Sequence, residues 1–372
     1  MNKNVPDVRL AYPPDENPHY LRAVTQVGDV QEVIAHVDIF ESNGMKLLAK
    51  GARIDSRQFQ RLTQHRLTAP LDSLLTAEFP VNAQSLAVEL DKIIQHETVY
   101  RRILTRTGDP HAIKQAIACA QLAPEVMLRL TVMRECRPEL FMHSIHTALI
   151  AFALAQSLGL PEGQRDAILL GALCHDFGEM HTDPEILAAE HNITQYERRY
   201  IHVHPITAQV LVQGLRGFSS DATLAILQHH ERLDGSGYPN ALQGDSITVL
   251  ARVLAVADVA EAAIRRFDLL RVEMLFRLGQ KRFDASIVNA LRDLLHITTN
   301  DAQEMRLASN ATGMLVIAQD DPDMLRELHR MLDELEWLAS DLANEIDRRS
   351  PELSPLAQGA LNGLLVQLHQ MK

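Results

Sequence analysis

Apolar residues recur every three or four positions through most of the chain after residue 80, which predicts a mainly helical protein. The clearest run is 139–158, where Leu149, Phe152, Leu154 and Leu158 are expected to pack inward and Gly159 follows as a typical residue just beyond a helix end. The same periodicity predicts further helices over 162–176, 184–190, 194–213, 220–230, 247–266 and 284–296.

The first 80 residues follow a different pattern. Residues 1–22 are polar and contain four prolines, which predicts a loose leader without regular structure. Over 33–48, a segment rich in β-branched residues precedes Asn43-Gly44 and an apolar segment follows it, a combination that predicts a β-hairpin. Asp55-Ser56 then predicts the start of a helix. We expect 23–80 to form a small α/β module of hairpin plus helix, with a regulatory role, a dimer contact or plain packing as its open alternatives.

The remaining chain divides into three helical parts. Residues 81–136 are expected to form a helical connector, with Gly108-Asp109-Pro110 as a turn between two helices. Residues 137–296 hold most of the polar residues with metal or acid–base chemistry, and 297–372 are expected to form a C-terminal helical extension with helices over 321–348 and 354–370. The first of these helices carries a broad apolar stripe that needs a partner surface, either the protein's own core or a second subunit in a homodimer.

Composition narrows the environment and the partners. The formal net charge of −12 argues against a protein that binds duplex nucleic acid, because such proteins usually present a basic face. The three cysteines have no paired spacing, which favours a reducing compartment over a disulfide-linked scaffold. The N-terminus lacks the apolar segment of a signal peptide, and no uninterrupted apolar stretch is long enough to span a bilayer. We therefore expect a cytoplasmic protein without a membrane partner.

Histidines are concentrated in one part of the chain. Nine of the 17 lie between His143 and His230, and His175-Asp176 joins an imidazole directly to a carboxylate. Imidazoles mixed with a few carboxylates suit borderline metals such as Fe, Mn or Zn. Glu139 lies four residues before His143, so both are expected on one face of the same helix. This crowding predicts a metal-dependent site, in which paired ions would activate water for attack on a phosphoryl group.

Other residues in the same region have simpler interpretations. His146 and His202 are interpreted as ordinary hydrogen-bonded or surface histidines rather than as ligands. Cys174, next to the His-Asp doublet, is expected to be a small buried hydrophobic residue, as free cysteines usually are.

The order of these residues resembles the HD-GYP subgroup of the HD phosphohydrolase superfamily, from about residue 137 to residue 296. The most specific matching piece is the run from His229 to Pro239, which contains the sequence Gly237-Tyr238-Pro239. The other matching pieces are Phe141-Met142-His143-Ser144, His175-Asp176-Phe177-Gly178, Asp183-Pro184-Glu185-Ile186-Leu187, His204-Pro205, Gly244-Asp245-Ser246-Ile247, residues 251–258 and residues 283–291.

The resemblance implies an all-helical domain with two or three divalent metal ions, iron or manganese, and hydrolysis of the bacterial messenger cyclic di-GMP to the linear dinucleotide or GMP. His175 and Asp176 would be the catalytic pair, with Asp176 bridging the ions. The Gly237-Tyr238-Pro239 loop would contribute to substrate access, through Tyr238, and to contacts with protein partners. Carried over by position, the implied metal ligands are Glu139, His143, His175, Asp176, His204, His229, His230, Asp258 and Glu261.

The chain also departs from the family pattern. Glu179 stands where the family has a lysine facing substrate phosphate, which reverses the local charge. Glu261 stands in for an aspartate, and the basic phosphate clamp that normally follows is replaced by Arg265 and Arg266 in a different pattern. We expect Glu179, Arg265, Arg266 and Tyr238 to contact the substrate. The altered phosphate contacts leave two alternatives to a cyclic di-GMP phosphodiesterase: a weakly active or inactive cyclic-dinucleotide sensor, and a hydrolase of another nucleotide.

Overall fold

The computed structural model describes residues 17–187 and 194–296. The first part of the predicted leader and both predicted C-terminal helices lie outside these residues. The helices are α1 (Pro18–Val30), α2 (Phe59–Thr63), α3 (Ala83–His96), α4 (Thr98–Arg106), α5 (Ala112–Cys119), α6 (Pro124–Cys136), α7 (Pro138–Ser157), α8 (Glu162–Cys174), α9 (Gln195–His202), α10 (His204–Val212), α11 (Ser220–Gln228), α12 (Val249–Ile264), α13 (Leu269–Leu278) and α14 (Ala285–Leu295). The strands are β1 (Val33–Ala35), β2 (Ile39–Phe40), β3 (Lys46–Leu48) and β4 (Leu75–Ala77), and short 3-10 helices cover Ser56–Gln58, Leu71–Ser73, Phe177–His181 and Gly244–Ser246.

The N-terminal module contains two small antiparallel pairs of strands. β2 pairs with β3 across the turn that contains Asn43-Gly44, so the predicted hairpin is confirmed there. The rest of the expected first strand is a separate element, β1, which pairs with the distant β4 in the register Val33 to Ala77. Asp55 accepts a hydrogen bond from the backbone of Arg57 and begins the predicted helical segment, which runs through a 3-10 turn into α2.

The expectation of a loose leader is wrong for residues 18–22, which form the beginning of α1. Asn17 caps this helix by accepting hydrogen bonds from the backbone of His19 and Tyr20. Pro18 occupies the first turn, where its missing N–H is not needed and its fixed φ suits the helix. A proline that we interpreted as a helix breaker therefore marks a helix start.

The helical domain is built around α7. This helix packs against α8, α12 and α6, and Leu149, Leu154 and Phe152 lie fully or almost fully inside the core. It ends as predicted, with Gly159 in the left-handed region at φ 69°. Within the described ranges, α7 alone is a single helix of the length and apolar character of a membrane span, and 78% of that apolar window is buried inside the protein. Helices α5 and α6 pass the same test for a membrane span only when they are taken together, and they are bent by 118° at the break between them.

Three predicted helices differ from the structure near the histidines. Helix α8 ends at Cys174, so His175-Asp176 lies in the turn between α8 and the following 3-10 helix and not within a helix. The segment expected over 194–213 is two helices that break at Val203, because Pro205 has no N–H to continue the hydrogen bonding of α9. Residues 184–187 form a turn instead of the predicted helix, and 188–190 lie outside the described residues. Helix α13 was not predicted.

The module and the helical domain share one continuous apolar core, and α1 packs against α6. A buried polar network also joins them: the hydroxyl of Tyr20 donates to Asp72 at 2.5 Å, and Asp72 pairs with Arg129 of α6 at 2.6 Å. Arg129 then donates to the carbonyl of Leu211, at the end of α10, at 2.6 Å. The predicted fold class, a mainly helical protein with a small hairpin-plus-helix module before its helical domain, is confirmed for the described residues.

Candidate metal centre

Five helices and two turns bring seven predicted ligands to one place in the helical domain. His143 lies on α7, His175-Asp176 follows α8, His204 begins α10, His229-His230 follows α11 and Asp258 lies on α12. The 3-10 helix that follows His175-Asp176 packs closely on the start of α10, because a Cβ on Gly178 would lie 2.1 Å from the carbonyl oxygen of His204. Glycine at this position therefore lets the turn after Asp176 lie directly against the start of α10.

The seven side chains form two groups, and the potential ligand atoms within each group lie within 4.8 Å of one another. One group contains Asp176, His204, His229 and His230, and the other contains His143, His175 and Asp258. All are buried except His230 and Asp258, whose side chains are 20% and 14% exposed. Three or four nitrogen and oxygen donors around one point are typical of a protein site for a divalent metal.

Asp176 lies between the two groups. Its Oδ1 is 3.3 Å from Nε2 of His204 and 3.8 Å from Nε2 of His229. Its Oδ2 is 3.1 Å from Nε2 of His175 and 3.4 Å from Nε2 of His143. Each carboxylate oxygen therefore faces a different group, which is the arrangement needed to bridge two ions.

The two carboxylate oxygens of Asp258 also face different groups. Its Oδ1 lies 3.3 Å from Nε2 of His143 and 3.9 Å from Nε2 of His175, whereas its Oδ2 lies 4.0 Å from Nδ1 of His230. Two carboxylates, one from the turn after α8 and one from α12, therefore connect the groups.

The imidazoles are oriented by hydrogen bonds on their outer nitrogens. Nδ1 of His175, His204 and His229 donates to the backbone carbonyl three residues earlier, at 2.6–2.7 Å. Nδ1 of His143 is bonded to the carboxylate of Glu261. Once Nδ1 carries the proton of a neutral ring, Nε2 is left as an acceptor, and in all four residues Nε2 points inwards.

A positive charge at the centre would stabilise this arrangement of acceptor atoms. The Nε2 atoms of His204 and His229 face each other at 3.2 Å, and Nε2 of His175 is buried without a hydrogen-bond partner. Burial and the neighbouring imidazoles of His175 and His204 lower the pKa of His229 to about 3, which keeps its ring neutral and able to bind a metal. Although burial opposes it, hydrogen bonds to Asp176 and Asp258 raise the pKa of His143, so the carboxylates attract a cation. The residues present fit a divalent metal.

Two other predicted ligands have different surroundings. Glu139 is exposed in the first turn of α7 and belongs to neither group among the described residues. Glu261 is completely buried, but its carboxylate contacts the outer nitrogen of His143 rather than the centre. Despite burial, the bond with His143 and the nearby His146 lower the pKa of Glu261 to about 2, so the group is ionised at neutral pH.

Glu179 lies in the 3-10 helix directly after the doublet. Burial and the charge of Asp176 raise its pKa, while the imidazole of His204 and the guanidinium of Arg137 oppose this. Nη2 of Arg137, the residue before α7, lies 3.5 Å from Oε2 of Glu179. Both side chains are partly exposed, at 28% and 22%. The acidic group that replaces the expected lysine therefore has a basic partner beside the centre.

The Gly237-Tyr238-Pro239 loop packs directly against the centre. The ring of Tyr238 stacks with His230 at a centroid distance of 4.7 Å and with His202 of α9 at 4.1 Å. A Cβ on Gly237 would lie 2.4 Å from the carbonyl oxygen of His230, so only glycine lets the loop approach this closely. Buried Glu231 holds the loop by accepting hydrogen bonds from the backbone beyond Tyr238, at Asn240 and Leu242. The loop therefore supports the position of His230.

The predicted basic contacts lie at the end of α12. Nε of Arg265 is 3.4 Å from Oε1 of Glu261, and its side chain is 43% exposed. Arg266 is exposed one residue later. The structure brings Arg265 to Glu261 and not to the seven convergent side chains.

Sequence reasoning missed Arg137 and Glu231, and it gave His202 no role. Arg137 immediately precedes the helix of His143, and Glu231 immediately follows His229-His230, so their positions in the chain hinted at the site. Arg137 lies 42 residues from its partner Glu179, and Glu231 lies 9 and 11 residues from its partners Asn240 and Leu242. The periodicity of the sequence does not reveal such contacts.

Comparison with known proteins identifies the family. The model of the HD domain family matches residues 84–287, more than half of the chain. A 3'3'-cGAMP-specific phosphodiesterase 1 of Vibrio cholerae is 35% identical over 149 residues, which are 40% of this chain and 34% of the relative. The cyclic di-GMP phosphodiesterase PA4108 of Pseudomonas aeruginosa is 33% identical over 139 residues, 37% of this chain and 34% of the relative.

The chain thus spans about a third of the length of these two curated relatives. Among solved structures, Bd1817, an HDG"Y"P protein from Bdellovibrio bacteriovorus, matches with a TM-score of 0.39 and 16% identity, over 74% of this chain and 98% of that one. The family model covers the centre from His143 to Asp258, together with the Gly237-Tyr238-Pro239 loop. The chain belongs to the HD domain family and is of the HD-GYP type.

Proposed function

We propose that this protein is a metal-dependent phosphodiesterase that hydrolyses cyclic dinucleotides, with cyclic di-GMP as its expected substrate. The observation that carries the proposal is that the two carboxylate oxygens of Asp176 face two separate groups of imidazoles. A carboxylate bridging two divalent ions is a recurrent design of phosphoester hydrolases. The relatives whose names specify cyclic di-GMP and 3'3'-cGAMP support the substrate class.

The donor set supports iron or manganese as the metal. Nitrogen and carboxylate donors suit both metals, whereas a site for a softer ion would offer thiolates. Cys174 adjoins the doublet but is completely buried, and burial raises the pKa of its thiol, so it stays protonated. Paired divalent ions, when bound, would polarise the phosphoryl group of the substrate and lower the pKa of a bound water, so that hydroxide is available at neutral pH.

The side chains of this protein would do the remaining work. Asp176 and Asp258 would hold the ions from their two oxygens, and the four backbone- or carboxylate-bonded imidazoles keep their acceptor nitrogens directed inwards. Tyr238 holds His230 by stacking. The partly exposed guanidinium of Arg137, which lies 3.5 Å from Glu179, is proposed to contact the phosphodiester.

A second candidate is a metal-containing cyclic-dinucleotide sensor with weak or no hydrolysis. The acidic side chain of Glu179 beside Asp176 favours it, because it stands where the resemblance implies a cation that would bind substrate phosphate. A hydrolase of another nucleotide is the third alternative, and the same assay separates all three.

The test is hydrolysis by the full chain after removal of metals and reconstitution with Mn(II) or Fe(II). Cyclic di-GMP, 3'3'-cGAMP, cyclic di-AMP and a linear dinucleotide are offered in parallel, and the products are separated by chromatography. We expect Asp176→Asn to lower turnover by more than about a hundredfold, since even outer partners of metal ligands are worth about 10–100-fold. Glu32→Gln, which changes an exposed carboxylate of the N-terminal module, is the matched control and should keep full activity.

The outcomes distinguish the candidates. Hydrolysis of a cyclic dinucleotide that depends on metal and on Asp176 supports the phosphodiesterase. Tight binding without product from the wild type selects the sensor, and product only from the linear dinucleotide selects the other hydrolase. A wild type that binds no metal after reconstitution contradicts the first two candidates.

Three further expectations complete the proposal. The Gly237-Tyr238-Pro239 loop is proposed as a contact for a protein partner, since Ser236 and Asn240 at its edges are exposed. We also propose a homodimer, which light scattering of the purified chain tests, and a cytoplasmic location, which cell fractionation tests.

A further inference from the structure

A line of alternating carboxylates and imidazoles extends from the centre to the far side of α7. His146 lies one helical turn after His143 and is buried. Its Nε2 is 3.0 Å from Oε1 of Glu97, the residue between α3 and α4, and its Nδ1 is 3.6 Å from Oε1 of Glu261. Glu261 in turn contacts Nδ1 of His143. The line therefore runs from Glu97 through His146 and Glu261 to His143.

The geometry of Glu261 decides what it can do. Its Oε2 is bonded to Nδ1 of His143, and its Oε1 faces Nδ1 of His146 at 3.6 Å and Nε of Arg265 at 3.4 Å. Both oxygens are thus directed at the outer side of His143 and beyond it. The centre lies on the other side of that ring, where Nε2 faces Asp176 and Asp258.

The ring of His146 is fixed on several sides. It stacks on Tyr100 of α4 with a centroid distance of 4.3 Å and an angle of 9° between the planes. Nδ1 of His146 and Oε1 of Glu261 are both buried atoms without a hydrogen-bond partner, and they lie 3.6 Å apart. Buried polar atoms without partners cost about 1–3 kcal/mol each, so the approach of Glu261 partly compensates the buried Nδ1 of His146.

We propose that Glu97, His146 and Glu261 are positioning residues that orient His143 for metal binding, and that Glu261 itself does not bind a metal. The inference rests on the proposed function in that it presumes a metal at the centre. Glu261, which the resemblance implies as a ligand, would then only support the ligand His143. Glu97, at the junction of α3 and α4 in the predicted connector, would also influence the metal affinity. Partners of this kind, one layer outside the ligands, typically change metal affinity by about 10–100-fold.

The experiment measures Mn(II) binding to the metal-free full chain by isothermal titration calorimetry, for wild type, Glu261→Gln, His146→Gln and Glu97→Gln. We expect the first two variants to bind the same number of ions as wild type with about 10–100-fold lower affinity. Glu97→Gln should lower affinity by about three- to tenfold, because Glu97 is 40% exposed and partly screened by water. His36→Gln, at an exposed histidine of the N-terminal module, should match wild type.

A double variant tests whether the residues act as one line. Glu261→Gln with His146→Gln should lose much less affinity than the product of the two single losses, because each single change already breaks the same support. Circular dichroism of the metal-free proteins checks folding, and Glu97→Gln, at a partly exposed position, keeps the test decisive if a buried variant unfolds.

Two results would overturn the inference while leaving the proposed function intact. Loss of one ion per chain in Glu261→Gln would make Glu261 a ligand. Unchanged affinity in His146→Gln and Glu97→Gln would make the line a packing feature only. Failure of the wild type to bind Mn(II) would instead contradict the proposed function, and the positioning role with it.

Discussion

The buried pair of Asp72 and Arg129 connects the N-terminal module to the helical domain. Their side chains are 4% and 5% exposed, and the hydroxyl of Tyr20 and the carbonyl of Leu211 belong to the same network. Asp72→Ala would remove a buried counter-charge of the Arg129 guanidinium. Removing one partner of such a pair typically costs about 3–5 kcal/mol.

This cost is large enough to measure by thermal unfolding. At about 2 °C per kcal/mol, a typical value for larger domains, Asp72→Ala should lower the Tm by about 6–10 °C. Differential scanning calorimetry of the full chain gives the Tm, and Glu89→Ala provides a matched control. Glu89 pairs with Lys92 on the surface of α3, so its loss should change stability by less than about 1 kcal/mol.

A double variant distinguishes the ion pair from general packing. Asp72→Ala with Arg129→Met removes both charges, so it should cost less than the sum of the two single variants by about 0.5–3 kcal/mol. A Tm within about 2 °C of wild type for Asp72→Ala, or strictly additive losses, would refute the reasoning. The module would then be attached by its apolar contacts alone.

Three other expectations follow from the site and its surroundings. Glu179→Lys should raise kcat/KM for a cyclic dinucleotide severalfold, because it replaces an acidic side chain beside Asp176 with a basic one that attracts the substrate phosphate, and unchanged kinetics would count against this charge argument. Gly178→Ala should cost about 1–3 kcal/mol of stability and weaken Mn(II) binding, because its Cβ would lie 2.1 Å from the carbonyl oxygen of His204; calorimetry that found neither effect would disprove the close packing. Burial raises the pKa of Cys136 to about 11, so at pH 8 it remains a thiol, and mass spectrometry after brief iodoacetamide treatment should find exposed Cys119 modified first; equal labelling of both would contradict the described burial.

Local patterns predicted much of the fold. The long apolar run of α7 and the glycine after it specify that helix almost to the residue, and Asn43-Gly44 specifies the β2–β3 turn. The pairing of β1 with β4 was missed because it joins segments about 40 residues apart that have no pattern of their own in common. Pro18 was misread because its effect depends on where a helix starts, which the Asn17 cap determines.

The candidate site shows the same limit. The ligand types and their order in the chain were visible, and the structure gathers seven of the nine predicted ligands into two adjacent groups. The direction of each side chain was not visible: Glu261 lies three residues after Asp258, yet it contacts the outer side of His143. The contact between His146 and Glu97 spans 49 residues, so no spacing rule would have paired them.

Counting the bound ions tests most directly whether Asp176 connects two metal ions in the centre. Metal-free full chain is titrated with Mn(II), and bound metal is measured by elemental analysis after gel filtration, for wild type and for Asp176→Asn. We predict two Mn(II) ions per wild-type chain and fewer than two for Asp176→Asn, since both groups share that carboxylate. One ion or none in the wild type, or two ions undiminished in Asp176→Asn, would contradict the two-metal centre.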